Sequence, residues 1–371
     1  MKLKQTCAVS LAAVMAASAL LTGCTSTETS SGADTSAADA AATVEDSTTR
    51  TVTDSKGNEV TIPAEVTRVA PTIGAFAQVT EMLTQGNGKI VAASVNQISD
   101  DFKAVFTDYE QTNPDNRDAS SVEDIIAAEA QVVYGPGSAF SEEQLAQLDA
   151  AGIAFVDLSN VGSVDGMCES ILTIGEILGD DELAAAQKFV EYYRGQIADA
   201  EDRTSGLSDD EKVTVLQLSQ NGGQYTCTNS GDISNEYYTA AGAINVAADY
   251  MGDGSNGSSL TVDAEQIVEW NPSFIITMNA TARDAILSDA ALAEVDAVQN
   301  GRVYTCPTGL YLWCVRSAEG AMMTPWLGTL FYPDLFSDVD MTEVVQSFYA
   351  DFYDYDLPAE DADAILAADG N

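Results

Sequence analysis

The chain has 371 residues, with 58 acidic against 15 basic side chains, a formal net charge of −43, 46% hydrophobic content and no histidine. So few cations cannot displace counterions from a phosphate backbone, which excludes nucleic-acid binding. The absence of histidine excludes Ser-His-Asp catalysis, HExxH metalloprotease chemistry and imidazole ligation of zinc or manganese.

The chain opens with Lys2 and Lys4, runs through an apolar stretch over residues 8–21 and reaches Leu21-Thr22-Gly23-Cys24. That stretch is too short for a spanning helix. It resembles a bacterial lipoprotein signal, which implies removal of residues 1–23 and lipid on the Cys24 thiol. The mature protein would then be tethered to the outer face of the cytoplasmic membrane. Residues 24–49 are mostly Ser, Thr, Ala and acidic groups. Such a segment buries too little surface to offset chain entropy and is expected to be a disordered linker. About 320 residues remain, a length that favours two domains over one core.

The folded region begins with two short strand patterns, Thr51-Val52-Thr53-Asp54 and Glu59-Val60-Thr61-Ile62-Pro63, around Ser55-Lys56-Gly57-Asn58. This reads as a hairpin. Strand patterns follow at Arg68-Val69-Ala70, Lys89-Ile90-Val91-Ala92-Ala93, Gln131-Val132-Val133-Tyr134 and Ile153-Ala154-Phe155-Val156. Helical patterns separate them near residues 76–83, 101–106, 122–129 and 142–150, and this alternation predicts a mainly parallel sheet. Over residues 163–205 strand signals vanish, and Leu183, Ala186, Phe189, Val190, Tyr193 and Ile197 recur at helical spacing. Strand patterns resume at 213–218, 274–278 and 302–305. Val345, Phe348, Tyr349, Phe352 and Tyr353 mark a closing helix packed on the core. The division is an N-terminal α/β lobe over 50–162, a bridging helix region over 163–205, and a C-terminal α/β lobe with closing helices over 206–371.

Two helix starts read alike. Ser121-Val122-Glu123-Asp124-Ile125-Ile126 leads to Gln131-Val132-Val133-Tyr134, and Asp263-Ala264-Glu265-Gln266-Ile267-Val268 leads at the same offsets to Ser273-Phe274-Ile275-Ile276. Ser121 and Asp263 are expected N-caps, with Asp124 and Gln266 as the reciprocal halves of an approximate capping box. Glu123 and Glu265 then occupy the first turns. Acidic first turns favour any helix dipole, but the matched spacing predicts a duplicated α/β lobe.

The segment Thr51 to Pro63, the two repeat helices, Pro307-Thr308-Gly309-Leu310-Tyr311-Leu312-Trp313 and Arg316-Ser317-Ala318-Glu319 together resemble the iron-siderophore, haem and cobalamin substrate-binding proteins of ABC importers. The resemblance runs over about residues 51–366. It implies an α/β clamshell of two Rossmann-like lobes bridged by a single long α-helix, with the ligand cleft between the lobes and no enzymatic activity. It also implies that Glu123 and Glu265 dock into arginines of a permease dimer. Two carboxylates on opposite lobes would report lobe separation through charge-assisted pairs.

Ligand groups in such a clamshell lie on loops at the carboxyl ends of strands. The candidates are Thr72, Phe76, Asn96 and Gly137 on the first lobe and Tyr225, Asn279, Tyr311, Trp313 and Arg316 on the second. Trp313 is equally a core candidate, and Arg316 a partner for Glu319. Aromatic faces with one cation suit a planar or aromatic chelate with an anionic edge. The expected ligand is a ferric chelate, haem or a corrinoid. Scarce cations favour a neutral or weakly charged hydroxamate-like chelate or a corrinoid over catecholates. No resident cofactor is expected.

Other motifs carry less. There is no Ser-x-x-Lys triplet. Gly252-Asp253-Gly254-Ser255-Asn256-Gly257 matches GxGxxG without a preceding buried strand and reads as a surface loop. No twelve-residue calcium loop is present. Cys168, Cys227, Cys306 and Cys314 permit disulfides in an exported protein without requiring them; a Cys306–Cys314 bridge and buried thiols both stay open. A surface enzyme or adhesin would need a convergent acid and base, and no spacing singles out such a pair.

Overall fold

The computed structural model describes residues 48–252, 257 and 259–368. Cys24, the leader, nearly all of the linker and most of the glycine-rich 252–257 segment lie outside the described residues.

Strands β1 (Thr49–Thr53) and β2 (Glu59–Pro63) pair antiparallel. The Asp54 carboxylate accepts the N–H groups of Lys56 and Asn58, and Gly57 takes φ +81° to close the turn. The first lobe follows as three parallel strands in the order β3 (Val69–Pro71), β4 (Val132–Gly135) and β5 (Ala154–Asp157). The expected strand at Lys89–Ala93 is reduced to single bridges, Ile90 to Val69 and Ala93 to Asp118, because it changes partner within three residues.

The second lobe carries β6 (Thr214–Asn221), β7 (Gln224–Cys227), β8 (Ile244–Asn245), β9 (Leu260–Val262), β10 (Phe274–Thr277) and β11 (Val303–Thr305). Their order is β11-β10-β6-β7-β9, with β8 also on β6. Strands β6, β8, β10 and β11 are parallel, whereas β7 and β9 are antiparallel additions absent from the sequence pattern. Gly222 and Gly223 at φ +60° and +86° give a two-residue turn. Tyr225, expected on a loop at a strand end, therefore stands on the second strand of a hairpin.

Each sheet alternates its faces between two cores, as period-two strands must. Val132, Tyr134, Val215, Phe274 and Ile276 enter one large cluster continuous across both lobes. Val133 faces a second cluster with Ile125 and Ile153, while Leu216 and Ile275 face a third with Ile267. The repeat is thus physical. Ile125 and Ile267, four positions past the caps, plug the outer faces of the two sheets. Glu129 and Asn271, eight past, both take left-handed φ (51° and 43°), and β4 and β10 both start eleven past.

The region between the lobes holds two helices, Val164–Leu178 and Asp180–Thr204, which turn at Gly179 (φ +146°). Arg50 donates to the carbonyl of Ile177 at 2.7 Å and Lys89 to that of Leu178 at 2.8 Å, so two first-lobe cations cap the negative end of the first helix. The 25-residue second helix is about 37 Å long. Phe189 packs edge-on against Phe348 and Phe352 of the closing helix Met341–Tyr353. A further helix, Ala359–Ala367, follows.

Every residue of the helix Gly74–Thr84 is buried, Glu81 included. One Glu81 oxygen has no hydrogen-bond partner, and burial, aided by the Asp108 charge, pushes its carboxyl from 4.5 up to about 8. The fold therefore holds this proton more tightly than the unfolded chain. That stability is complete below about pH 4 and is lost as pH rises towards 8. At about 1.4 kcal/mol per unit, Glu81 alone makes the protein more stable near pH 5 than near pH 9 by a few kcal/mol. Melting curves at the two pH values should show this fall, and Glu81→Gln should flatten it; an unchanged slope in the variant would assign the effect elsewhere.

Candidate functional site

The two repeat helices begin as their sequences require. Ser121 accepts the N–H of Asp124 and Asp263 that of Gln266, and Glu123 and Glu265 are both exposed. The reciprocal halves of the capping boxes do not form. Asp124 takes the Asp118 N–H at 3.0 Å instead, and Gln266 turns to Glu269 at 3.3 Å. A full capping box sits elsewhere, at Ser141 and Gln144.

On the first lobe, Thr72 lies at the carboxyl end of β3. Its buried hydroxyl has no partner and packs so closely on Gly135 that a Cβ there would fall 1.7 Å away. Gly137, just past β4, donates its N–H to Asp157 at 3.0 Å and Ser159 at 2.9 Å. Lys56, from the opening hairpin, pairs with Asp157 at 2.5 Å. Burial raises the Asp157 pKa, but Lys56, Ser159 and the Gly137 N–H outweigh it and hold the carboxyl below its ordinary value. Asn96 is exposed on the short turn Val95–Gln97. Phe76 is a correction: it is fully buried in the shared core, because the helix carrying it has no open face.

On the second lobe, Asn279 caps the helix Ala280–Ser288 through the Ala282 N–H at 2.8 Å. It also lines a polar cavity of about 740 Å³ at the carboxyl edge of the sheet, with Gln220, Asn221, Gln224 and Thr281. Tyr225 and Trp313 are further corrections. The Tyr225 ring is buried in the outer core and its hydroxyl donates to Asp289. Trp313 is fully buried, with its indole N–H unpaired. Arg316 is exposed, and no ion pair joins it to Glu319 among the described residues. Cys168, Cys227, Cys306 and Cys314 are buried free thiols.

Tyr311 joins the lobes. Its hydroxyl donates to Gln97 Oε1 at 3.0 Å, and the same oxygen accepts the Gly74 N–H at 2.6 Å. Burial raises the Tyr311 pKa and the nearby Arg316 charge pulls it back. Amides, a phenol and a cation thus meet where the lobes touch. Behind them lies Glu319, fully buried, which accepts from the N–H groups of Leu310 (3.0 Å) and Tyr311 (3.2 Å) and the hydroxyls of Tyr349 (3.0 Å) and Tyr353 (3.3 Å). Burial pushes its carboxyl up to about 7 against the pull of these four donors. Gln78, on the first-lobe helix, donates to Tyr353 at 2.9 Å and accepts from Ala318 N–H at 3.1 Å. Sequence reasoning missed Lys56 and Asp157 on the first lobe and the anchoring role of Glu319 behind Tyr311; Glu319 was signalled only as a partner for Arg316.

Two α/β lobes, one on a parallel and one on a mixed sheet, joined through two helices and with polar loops at their carboxyl edges, have the architecture of a two-lobed solute-binding protein. Residues 75–310 match the family described as periplasmic binding protein, and the chain belongs to that family. It is 25% identical to the molybdate-binding protein MolA of Haemophilus influenzae over 335 residues, covering 82% of this chain and 91% of MolA. It is 26% identical to the uncharacterized ABC transporter substrate-binding lipoprotein YvrC of Bacillus subtilis over 292 residues, covering 78% and 87% of the two chains. A periplasmic solute-binding protein from Veillonella parvula shares the fold, with a TM-score of 0.69 at 24% identity, over 86% of this chain and 97% of that one. The protein is thus an extracytoplasmic substrate-binding protein of an ABC importer and not an enzyme. No helix among the described residues is long and apolar enough to cross a membrane.

A Cβ on Gly74 would fall 2.6 Å from Gln97 Cβ and 2.8 Å from Tyr311 Cε2. Gly74→Ala should therefore force the lobe junction apart and cost about 1–3 kcal/mol. Urea unfolding measures this; a midpoint equal to wild type would mean that the junction gives way freely.

Proposed function

We propose that the crevice between the lobes binds an iron chelate of the siderophore type and hands it to the importer's permease. The observation that carries this reading is Arg316, an exposed cation near the interlobe phenol of Tyr311, which bonds the Gln97 amide of the other lobe. A guanidinium together with a phenol suits a delocalised anionic edge. Among the described residues no three His, Cys, Asp or Glu side chains converge to hold a metal, a donor set better suited to a metal that arrives already chelated. Haem or a corrinoid would use the same wall without a protein ligand from histidine. A second reading, a bare oxyanion, is favoured by the likeness to a relative named as molybdate-binding. Arg316 and the loop N–H groups would then bind the anion directly. Cys24 is the proposed lipid anchor, supported by the Leu21-Thr22-Gly23-Cys24 motif and by the lipoprotein name of a relative.

Thermal shifts of purified protein with ferric hydroxamates, haemin, cobalamin and molybdate test the ligand class. Ligand at about a hundred times its Kd adds about 2.7 kcal/mol. A ferric hydroxamate should raise the melting point, and Arg316→Ala should weaken its binding at least tenfold. A response to molybdate alone would replace the chelate by the oxyanion. For the anchor, Cys24→Ala should move the protein from the membrane fraction to the soluble one; continued membrane retention would remove Cys24 from that role.

A further inference from the structure

Six large apolar side chains are exposed among the described residues, and two of them, Ile126 (40%) and Val268 (39%), occupy the same place in the two halves of the repeat. Each lies five positions past its N-cap and three past the exposed glutamate, so Glu123 with Ile126, and Glu265 with Val268, are neighbours on one helix flank. The residue one position earlier in each half, Ile125 or Ile267, is fully buried beneath the sheet. The pattern therefore repeats its buried anchor and its exposed aliphatic alike, although core packing requires only the anchor. Neither glutamate has an ion-pair partner among the described residues.

We infer that the importer permease is gripped by a two-part epitope on each lobe: the carboxylate of Glu123 or Glu265 together with the aliphatic side chain of Ile126 or Val268. This rests on the reading of the two glutamates as permease-docking groups. Charge complementarity selects the occupant, because an exposed carboxylate without an ion-pair partner, beside an aliphatic group, fits a cationic side chain that borders an apolar hollow; the one bond Glu123 accepts, from the Ser121 hydroxyl at 3.4 Å, leaves its charge uncompensated. A transporter with two equivalent halves offers that surface twice. The carboxylates steer and orient, and their contribution is screened by salt. The aliphatic groups add a contact that salt does not weaken.

Docking of the purified full-length protein to proteoliposomes of its importer, followed over a range of salt, separates the parts. Ile126→Ser with Val268→Ser should weaken docking about tenfold at every salt concentration, and Ile126→Val with Val268→Ile should restore it. Glu123→Ala with Glu265→Ala should weaken docking at low salt and flatten its salt dependence. All four replaced positions are exposed, so melting points should stay near wild type. If the serine pair docks as tightly as wild type while the alanine pair fails, the aliphatic half of the epitope is wrong and glutamate docking stands. If the alanine pair also docks as wild type, the helix flanks are not the permease surface and both fall.

Discussion

Glu319 is the point on which the interlobe architecture depends. A carboxyl group with no solvent contact must find its hydrogen bonds inside the protein, and this one draws them from two separate segments: the loop after β11 and, through two tyrosines, the closing helix. Through Tyr353 and Gln78 the same network reaches the buried helix of the first lobe. Removing the carboxyl would orphan several buried donors at once, which costs more than any one bond contributes. The loop carrying Tyr311 is thus held by a polar knot inside an otherwise apolar core. The apolar cluster around that knot is continuous across both lobes.

The duplication gives each lobe the same helix start. In each half a helix is capped by its own side chain, drops one isoleucine onto the outer face of a parallel sheet, and leaves through a left-handed residue into the next strand. These are local devices with local sequence signatures, so the paired helices were legible. The opening hairpin, the long helix after Gly179 and the closing aromatic helix were legible for the same reason: hydrophobic period and turn chemistry act within a few residues.

What the sequence hides is the side to which an aromatic residue turns. Within Tyr311-Leu312-Trp313 nothing marks Tyr311 as the interlobe contact and Trp313 as core, because both are large, amphipathic and equally suited to either place. Tyr225 was misread because Gly222-Gly223 looks like a loop in sequence, whereas it closes a hairpin that returns the chain antiparallel to β6. Phe76 lay at the right distance from a strand end, but its helix is buried on all sides. The Lys56–Asp157 pair and the Gln97–Tyr311 contact join residues about a hundred and two hundred positions apart. No periodicity encodes such meetings; tertiary packing alone produces them.

The deployment of cations strengthens the case for Arg316. In a chain with 15 basic against 58 acidic residues, most described cations serve the fold. Arg50 and Lys89 cap a helix end, Arg68 donates to the carbonyls of Ala128 and Glu129 where the first repeat helix ends, and Arg203 clasps Asp199 and Asp338. Lys188 and Arg302 lie over the rings of Phe352 and Phe274. Arg316 has no such partner among the described residues, yet it stands close enough to Tyr311 to shift its titration. An exposed guanidinium without an acidic partner, in a protein otherwise crowded with carboxylates, keeps its charge available to an incoming anion. The surrounding negative field disfavours multiply charged ligands. Both constraints accord with the proposed chelate, whose charge is low and delocalised along one edge.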